Sequence, residues 1–236
     1  EIEWKEMIMR IKMLAVVLLG GILFSGVANA QSNFLSGDVQ FNAKAVSDYR
    51  FRGVSRTGND FAVQGGVDFN SDSGLYVGGW ASNVDNFGGA DVETNMFVGY
   101  GGETNGMIYD FGATAYVFPG GDNVNHIEVY GSVGVDFGLF TSSVGLAYMP
   151  LQDNLGNDDN IYLYNDTKVY IPDSPFSVDL HLGFEDGAMG SEKLDWKIGT
   201  SVTFEQFELG VAYVDTNQNA GKVADSGIIF SIAAYF

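Results

Sequence analysis

Residues 227–236 read Gly227-Ile228-Ile229-Phe230-Ser231-Ile232-Ala233-Ala234-Tyr235-Phe236, with Ile228, Phe230, Ile232, Ala234 and Phe236 on one parity. Successive side chains of a strand point to opposite faces, so this run is a strand with one continuous apolar face. The same alternation recurs upstream in runs of about ten residues, beginning near Val39. The pattern predicts 12 strands, over 39–53, 61–69, 75–84, 92–102, 107–118, 126–137, 139–149, 161–171, 176–185, 195–204, 207–215 and 227–236. An even number of short alternating segments is the pattern of a transmembrane, antiparallel up-and-down β-barrel. In 75–84 and 161–171 the pattern alone leaves the outward face ambiguous.

Working outward from the strands, the connections alternate in length. Short ones fall at 70–74, 103–106, 138, 172–175 and 205–206; longer ones at 54–60, 85–91, 119–125, 150–160, 186–194 and 216–226. Short periplasmic turns and longer external loops are the barrel arrangement, with both termini periplasmic. Aromatic residues bracket the short turns: Phe69, Tyr100, Phe137, Phe140, Tyr170, Phe176, Phe204, Phe207 and Phe236. Amphipathic rings favour the headgroup region, so these are the expected periplasmic girdle, although aromatics also favour strands in general.

The N-terminal residues read as a processing signal. Arg10 and Lys12 precede an apolar stretch over 13–24, and Ala28-Asn29-Ala30 supplies a small-x-small cleavage site before Gln31. Residues 1–30 are therefore expected to be a signal peptide and 31–236 the barrel. Residues 1–6 fit no signal pattern, and a start at Met7 or Met9 is the expectation. The apolar stretch is shorter than the roughly 20 residues that a spanning helix needs.

Charged residues make up only 17% of the chain, below the roughly 25% usual in soluble domains. The polar parity is mostly Gly, Ser, Thr, Asn and Asp, which suits a lumen better than a surface in bulk water. There is no cysteine, so no disulfide or thiolate metal site exists. The formal net charge of −19 disfavours nucleic acid as a partner and favours cations at the mouths.

One block is distinctive: Ser47-Asp48-Tyr49-Arg50-Phe51-Arg52-Gly53-Val54-Ser55-Arg56-Thr57. With Ala62-Val63-Gln64-Gly65-Gly66-Val67-Asp68, residues 74–84, Val117-Phe118-Pro119-Gly120-Gly121 and residues 125–131, it resembles the TorF family of porins from Gram-negative bacteria. The ordered blocks cover roughly 45–148; the second half is similar in architecture alone. The chain departs at Phe61, where proline is expected, and lacks a basic residue over 232–236. The resemblance implies an outer-membrane channel. A terminal Phe236 on an alternating strand also resembles the signal read by barrel-assembly machinery.

With the apolar parity towards lipid, the lumen receives Lys44, Asp48, Arg50 and Arg52 from the first strand. Asp68, Glu93, Asp110, Glu128, Asp136, Asp179, Glu185 and Glu208 follow from the others. A positive strip facing negative walls creates a transverse field that favours polar solutes, and these residues are the candidate pore lining. The alternative is that Arg50 and Arg52 pair with nearby acids and fill a narrow lumen. Arg52 and Arg56 at the outer mouth are open to anionic solutes, to lipopolysaccharide phosphates or to simple solvation. Residues 153–159 are rich in oxygen donors but lack EF-hand spacing, and no metal site is assigned. His126 and His181 fall on the lumenal parity, away from any acyl substrate, so neither an enzyme nor a cofactor is expected. The expected function is passive diffusion of small hydrophilic solutes through a narrow, weakly cation-preferring channel, with outer-membrane lipid and lipopolysaccharide as surroundings. A closed structural or adhesion barrel, binding surface ligands or divalent ions through acidic loops, is the alternative.

Overall fold

The computed structural model describes residues 36–236; the expected signal segment, with Ala28, Ala30 and Gln31, lies outside them. Fourteen strands follow one another as β1 (Gly37–Val46), β2 (Arg50–Phe51), β3 (Val54–Ser55), β4 (Ala62–Ser71), β5 (Leu75–Phe87), β6 (Ala90–Thr104) and β7 (Met107–Val117). The rest are β8 (His126–Asp136), β9 (Phe140–Gln152), β10 (Asp158–Tyr170), β11 (Phe176–Gly187), β12 (Gly190–Phe204), β13 (Phe207–Thr216) and β14 (Gly227–Tyr235). β1 and β4–β14 form a closed antiparallel barrel of 12 strands, and β2–β3 is a separate small hairpin.

Closure is made by β1 against β14, with Asn42 opposite Tyr235 and Val46 opposite Ser231. The Phe236 and Phe41 backbones exchange hydrogen bonds of 3.1 and 3.2 Å across the same seam. A closed ladder leaves no edge strand, which is what allows strands to sit in hydrocarbon without unpaired backbone groups.

The apolar parity points outward. Val133, Ile198 and Phe230 are 62%, 55% and 62% exposed, whereas the opposite parity of the same strands carries Ser132, Lys197 and Ser231. A soluble protein rarely exposes an apolar surface running round the whole molecule, so this exterior is the lipid-facing side of a membrane barrel. Phe69, Tyr100, Phe137, Phe140, Phe176, Phe204, Phe207 and Phe236 carry the outward parity near the short turns. Tyr170 is the exception. It shares its parity with Tyr162 and Lys168 and faces the lumen, so it is not an outward girdle ring.

Three expectations about connections are corrected. The first barrel strand ends at Val46, not at residue 53, because the chain turns inward at Ser47. The Ser47 backbone N–H donates to the Phe230 carbonyl and the Phe230 N–H to Ser47 Oγ, both at 2.9 Å, which ends the ladder there. The expected long loops at 85–91 and 186–194 are tight turns between extended strands, β5 and β6 meeting at Gly88-Gly89 and β11 and β12 at Ala188-Met189. Their polar residues look like loop because both faces of a strand are wetted once it rises beyond the membrane.

The outward face of β12 gives a direct check. Ile198→Arg is expected to lower the unfolding free energy in liposomes by about 2–4 kcal/mol, the effect of a cation near the bilayer midplane. An unchanged urea midpoint would place Ile198 outside the hydrocarbon.

Candidate functional site

Beyond Val46 the chain folds into the lumen and returns at Ala62 to the wall. Asp48 holds this inserted segment together: its carboxylate accepts from Ser55 Oγ (2.5 Å), Thr57 Oγ1 (3.2 Å) and Arg50 Nε (2.5 Å). At the tip, Arg52 (φ 49°) and Gly53 (φ 83°) are both left-handed, the conformation of a two-residue type I′ hairpin. Gly53 fits because it lies against the wall, where an added Cβ would meet Asp195 and Thr216 at 2.8 Å each.

That turn aims Arg52 across the barrel. Its guanidinium bonds Glu185 of β11 at 2.5 Å and pairs with Glu128 of β8, and it stacks over the Tyr162 ring at 4.1 Å. Arg56 pairs with Glu93 of β6 at 3.0 Å, with its guanidinium over the Phe51 ring at 4.1 Å and the Phe87 ring at 4.7 Å. Lys193 of β12 pairs with the second oxygen of Glu185. Tyr49 Oη donates to Glu93, and burial, then that carboxylate, push its phenol well above the usual range, so it stays a neutral donor. Three carboxylates thus meet three cations, and the clamp carries no net charge.

Charges sealed this deeply are stable only while paired. The Arg52 and Arg56 side chains are 7% and 4% exposed, those of Glu93 and Glu185 0%. Such a network adds little over an apolar filling, but removing one partner leaves a buried charge uncompensated.

The expected pore residues fall into distinct places. Lys44, Asp68, Glu93, Asp110, Glu128, Asp136, Asp179, Glu185 and Glu208 all carry the lumenal parity. Asp48, Arg50 and Arg52 belong to the inserted segment, not to the wall, and the expectation of a positive strip along strand one is corrected accordingly. Tyr49 and Phe51, read as lipid-facing on that strand, instead contact Glu93 and Tyr116. Arg50 ties the segment to the loop before β14, donating to Asp225 O at 2.8 Å and Val223 O at 3.2 Å. Arg56 is buried in the clamp and does not lie open at the mouth.

Below the clamp lies a cavity of about 1110 Å³, reaching from Tyr49 and Phe51–Gly53 to the short turns near Gly74 and Glu103. Its wall is aromatic. Tyr76, Phe97, Tyr130 and Tyr164 each stand opposite a glycine on the neighbouring strand: Gly99, Gly78, Gly112 and Gly145. The rings lie flat over those glycines; a Cβ on Gly99 or Gly145 would come within 2.2 Å of the tyrosine. Across the cavity His181 bridges Asp166 (2.7 Å) and Asp195 (3.1 Å) and meets Tyr162 Oη at 2.7 Å. Nearer the termini, Lys168 sits between Asp179 (3.5 Å) and Glu208 (3.4 Å). Among the described residues no cluster suited to a metal ion occurs, and residues 153–159 do not converge as a cation site.

Lys193 and the lumenal residues Tyr76, Tyr130, Tyr162 and Tyr164 were not singled out by the sequence. A signal for the tyrosines exists: Tyr76, Tyr162 and Tyr164 lie in the two strands whose faces the alternation left ambiguous.

A closed 12-strand barrel with an apolar exterior, a charged clamp and a polar, aromatic lumen defines the class as membrane β-barrel. The chain belongs to the family described as "Bacterial protein of unknown function (Gcw_chp)", whose model matches residues 28–231. No curated protein matches the sequence. Among solved structures it is similar to a NanC porin (TM-score 0.59, 10% identity, covering 84% of this chain and 98% of that one). It is also similar to a KdgM porin (0.58, 6%, 84% and 98%) and to an outer-membrane channel from Pseudomonas putida F1 (0.50, 10%, 90% and 98%). At these identities the likeness is one of fold.

Arg52→Ala leaves Glu128 and half of Glu185's pairing uncompensated, a loss of about 3–5 kcal/mol for a buried pair. Because the hairpin is a sheet separate from the barrel wall and can loosen within the lumen without unfolding it, the effect is expected as local opening. Backbone amides of residues 49–57 should exchange at least tenfold faster with deuterium, while barrel amides stay protected. Unchanged exchange in this segment would mean that Arg52 does not hold it.

Proposed function

We propose that this protein is an outer-membrane channel for passive diffusion of small hydrophilic solutes, narrowed by its inserted hairpin. The observation that carries this reading is the cavity of about 1110 Å³ inside a closed barrel whose polar parity faces inward. Twelve strands give a lumen between the filled 8-stranded barrels and open 16-stranded porins, consistent with a selective, low-conductance pore. The porin-like fold of the similar structures supports the reading, as does the resemblance of residues 45–148 to TorF-family porins. In this proposal residues 1–30 are a cleaved signal, the short turns and both termini are periplasmic, and the outer girdle meets lipid and lipopolysaccharide. Phe236 is the proposed handle for barrel-assembly machinery. The lumenal acids outside the clamp give the pore a weak cation preference. The reading includes no enzymatic step.

One observation favours a second reading. Glu93 and Glu185 are fully buried under the hairpin, as in a barrel that is closed and acts through its loops. Planar-bilayer recording of the folded protein separates the two. Unitary steps in KCl, with a cation-selective reversal potential in a gradient, are the expected result. Silence from protein shown to be folded and inserted would favour the closed barrel. The double variant Arg52→Ala/Arg56→Ala is expected to raise unitary conductance several-fold by freeing the hairpin, and an unaltered conductance would remove the hairpin from the conduction path.

A further inference from the structure

One stretch of the cavity wall has carboxylates but no cations. Asp68 on β4 is 3% exposed, and its Oδ1 has no hydrogen-bond partner among the described residues. Asp110 on β7 accepts from Tyr76 Oη at 2.6 Å, and Tyr76 Oη lies 2.5 Å from Tyr130 Oη. Among the described residues neither carboxylate makes an ion pair: Arg52, Arg56 and Lys193 are engaged in the clamp, Arg50 with Asp48 and Lys168 with Asp179 and Glu208, while Lys44 on β1 and Lys197 on β12 pair with neither.

Between the two acids stand aromatic faces. The ring of Phe97 and Oδ1 of Asp68 converge on Gly78, where a Cβ would meet them at 2.5 and 2.3 Å. The rings of Tyr76 and Phe97 are 6.3 Å apart, and the hydroxyl of Tyr76 is already spent on Asp110 and Tyr130. What these rings offer the cavity is therefore mainly their faces. A carboxylate shut away from water without a counter-charge is costly, and an arriving cation relieves that cost. A bare metal ion gains little from ring faces and has no cluster of ligands here. An organic cation gains from both: its charge from the carboxylates and the ring quadrupoles, its alkyl groups from the rings.

We infer that the Asp68–Tyr76–Phe97–Asp110–Tyr130 patch is a binding site for compact organic cations of the alkylammonium class. The inference rests on the channel reading for its purpose, since a site on the lumen wall would select which solutes linger in the pore, but the site itself can be tested without conduction.

The test is calorimetric titration of the folded protein in detergent at low salt, with choline and with its uncharged isostere 3,3-dimethylbutan-1-ol. Choline is expected to bind at least tenfold more tightly than the isostere. Asp68→Asn/Asp110→Asn, checked for heat-modifiable migration, is expected to weaken choline at least tenfold. Equal binding of the two ligands, no binding of choline, or an Asn variant that binds choline as before would each overturn the site. The comparison of ligands on the unmodified protein stands even where the variant does not fold. Choline binding by a barrel that shows no conductance would leave the site and refute the channel; conductance without choline binding would do the reverse.

Discussion

Every backbone N–H and C=O that crosses hydrocarbon must find its partner within the protein, and here the closed ladder of β1 and β4–β14 meets that demand. Closure fixes the strand number, the strand number fixes the diameter, and the diameter leaves a lumen too wide for facing side chains to fill. The remaining features answer to that space. At one level it is filled by a hairpin whose cations meet carboxylates on β6, β8 and β11. At another it is kept open by rings pressed flat over glycines.

The barrel itself was legible in the sequence, because one face of every strand meets lipid and the other meets polar lumen, so the period of two is written strongly. The inserted segment was not. Asp48, Tyr49, Arg50, Phe51 and Arg52 alternate like the strand before them, and alternation says nothing about which partner a strand pairs with. The turn at Ser47 depends on Phe230, far along the chain, and the inward aim of Tyr49 and Phe51 depends on Glu93 and Tyr116. Residues 85–91 and 186–194 misled for a simpler reason: polar strands above the membrane have the composition of loops.

The lumenal charges divide along the same line. Their parity followed from the strand pattern, whereas their partners did not. An arginine strip facing acidic walls, read from the sequence, implies a strong transverse field. In the structure the arginines touch their carboxylates, so the clamp is balanced, and carboxylates such as Asp68 and Asp110 stand apart from it without an ion pair. Strands β5 and β10, ambiguous as patterns, are those that turn Tyr76, Trp80, Tyr162 and Tyr164 into the lumen. Where aromatic rings fill the lumenal face of a strand whose other face is aliphatic, hydrophobicity no longer separates lipid from solute.

The hairpin is carried by β1, which is also the strand that closes the barrel. β1 pairs with β4 along its whole length, Gly37–Val46, but meets the last strand only from Phe41 onward, where it exchanges backbone hydrogen bonds with Phe236. The shorter ladder makes β1–β14 the natural last seam to zip during assembly. While that seam is open, the hairpin can reach Glu128 and Glu185 sideways; once it is shut, entry would require threading a folded, charged segment through the mouth. Order of closure and placement of the clamp are thereby coupled, and a chain that zips too early traps its own arginines outside.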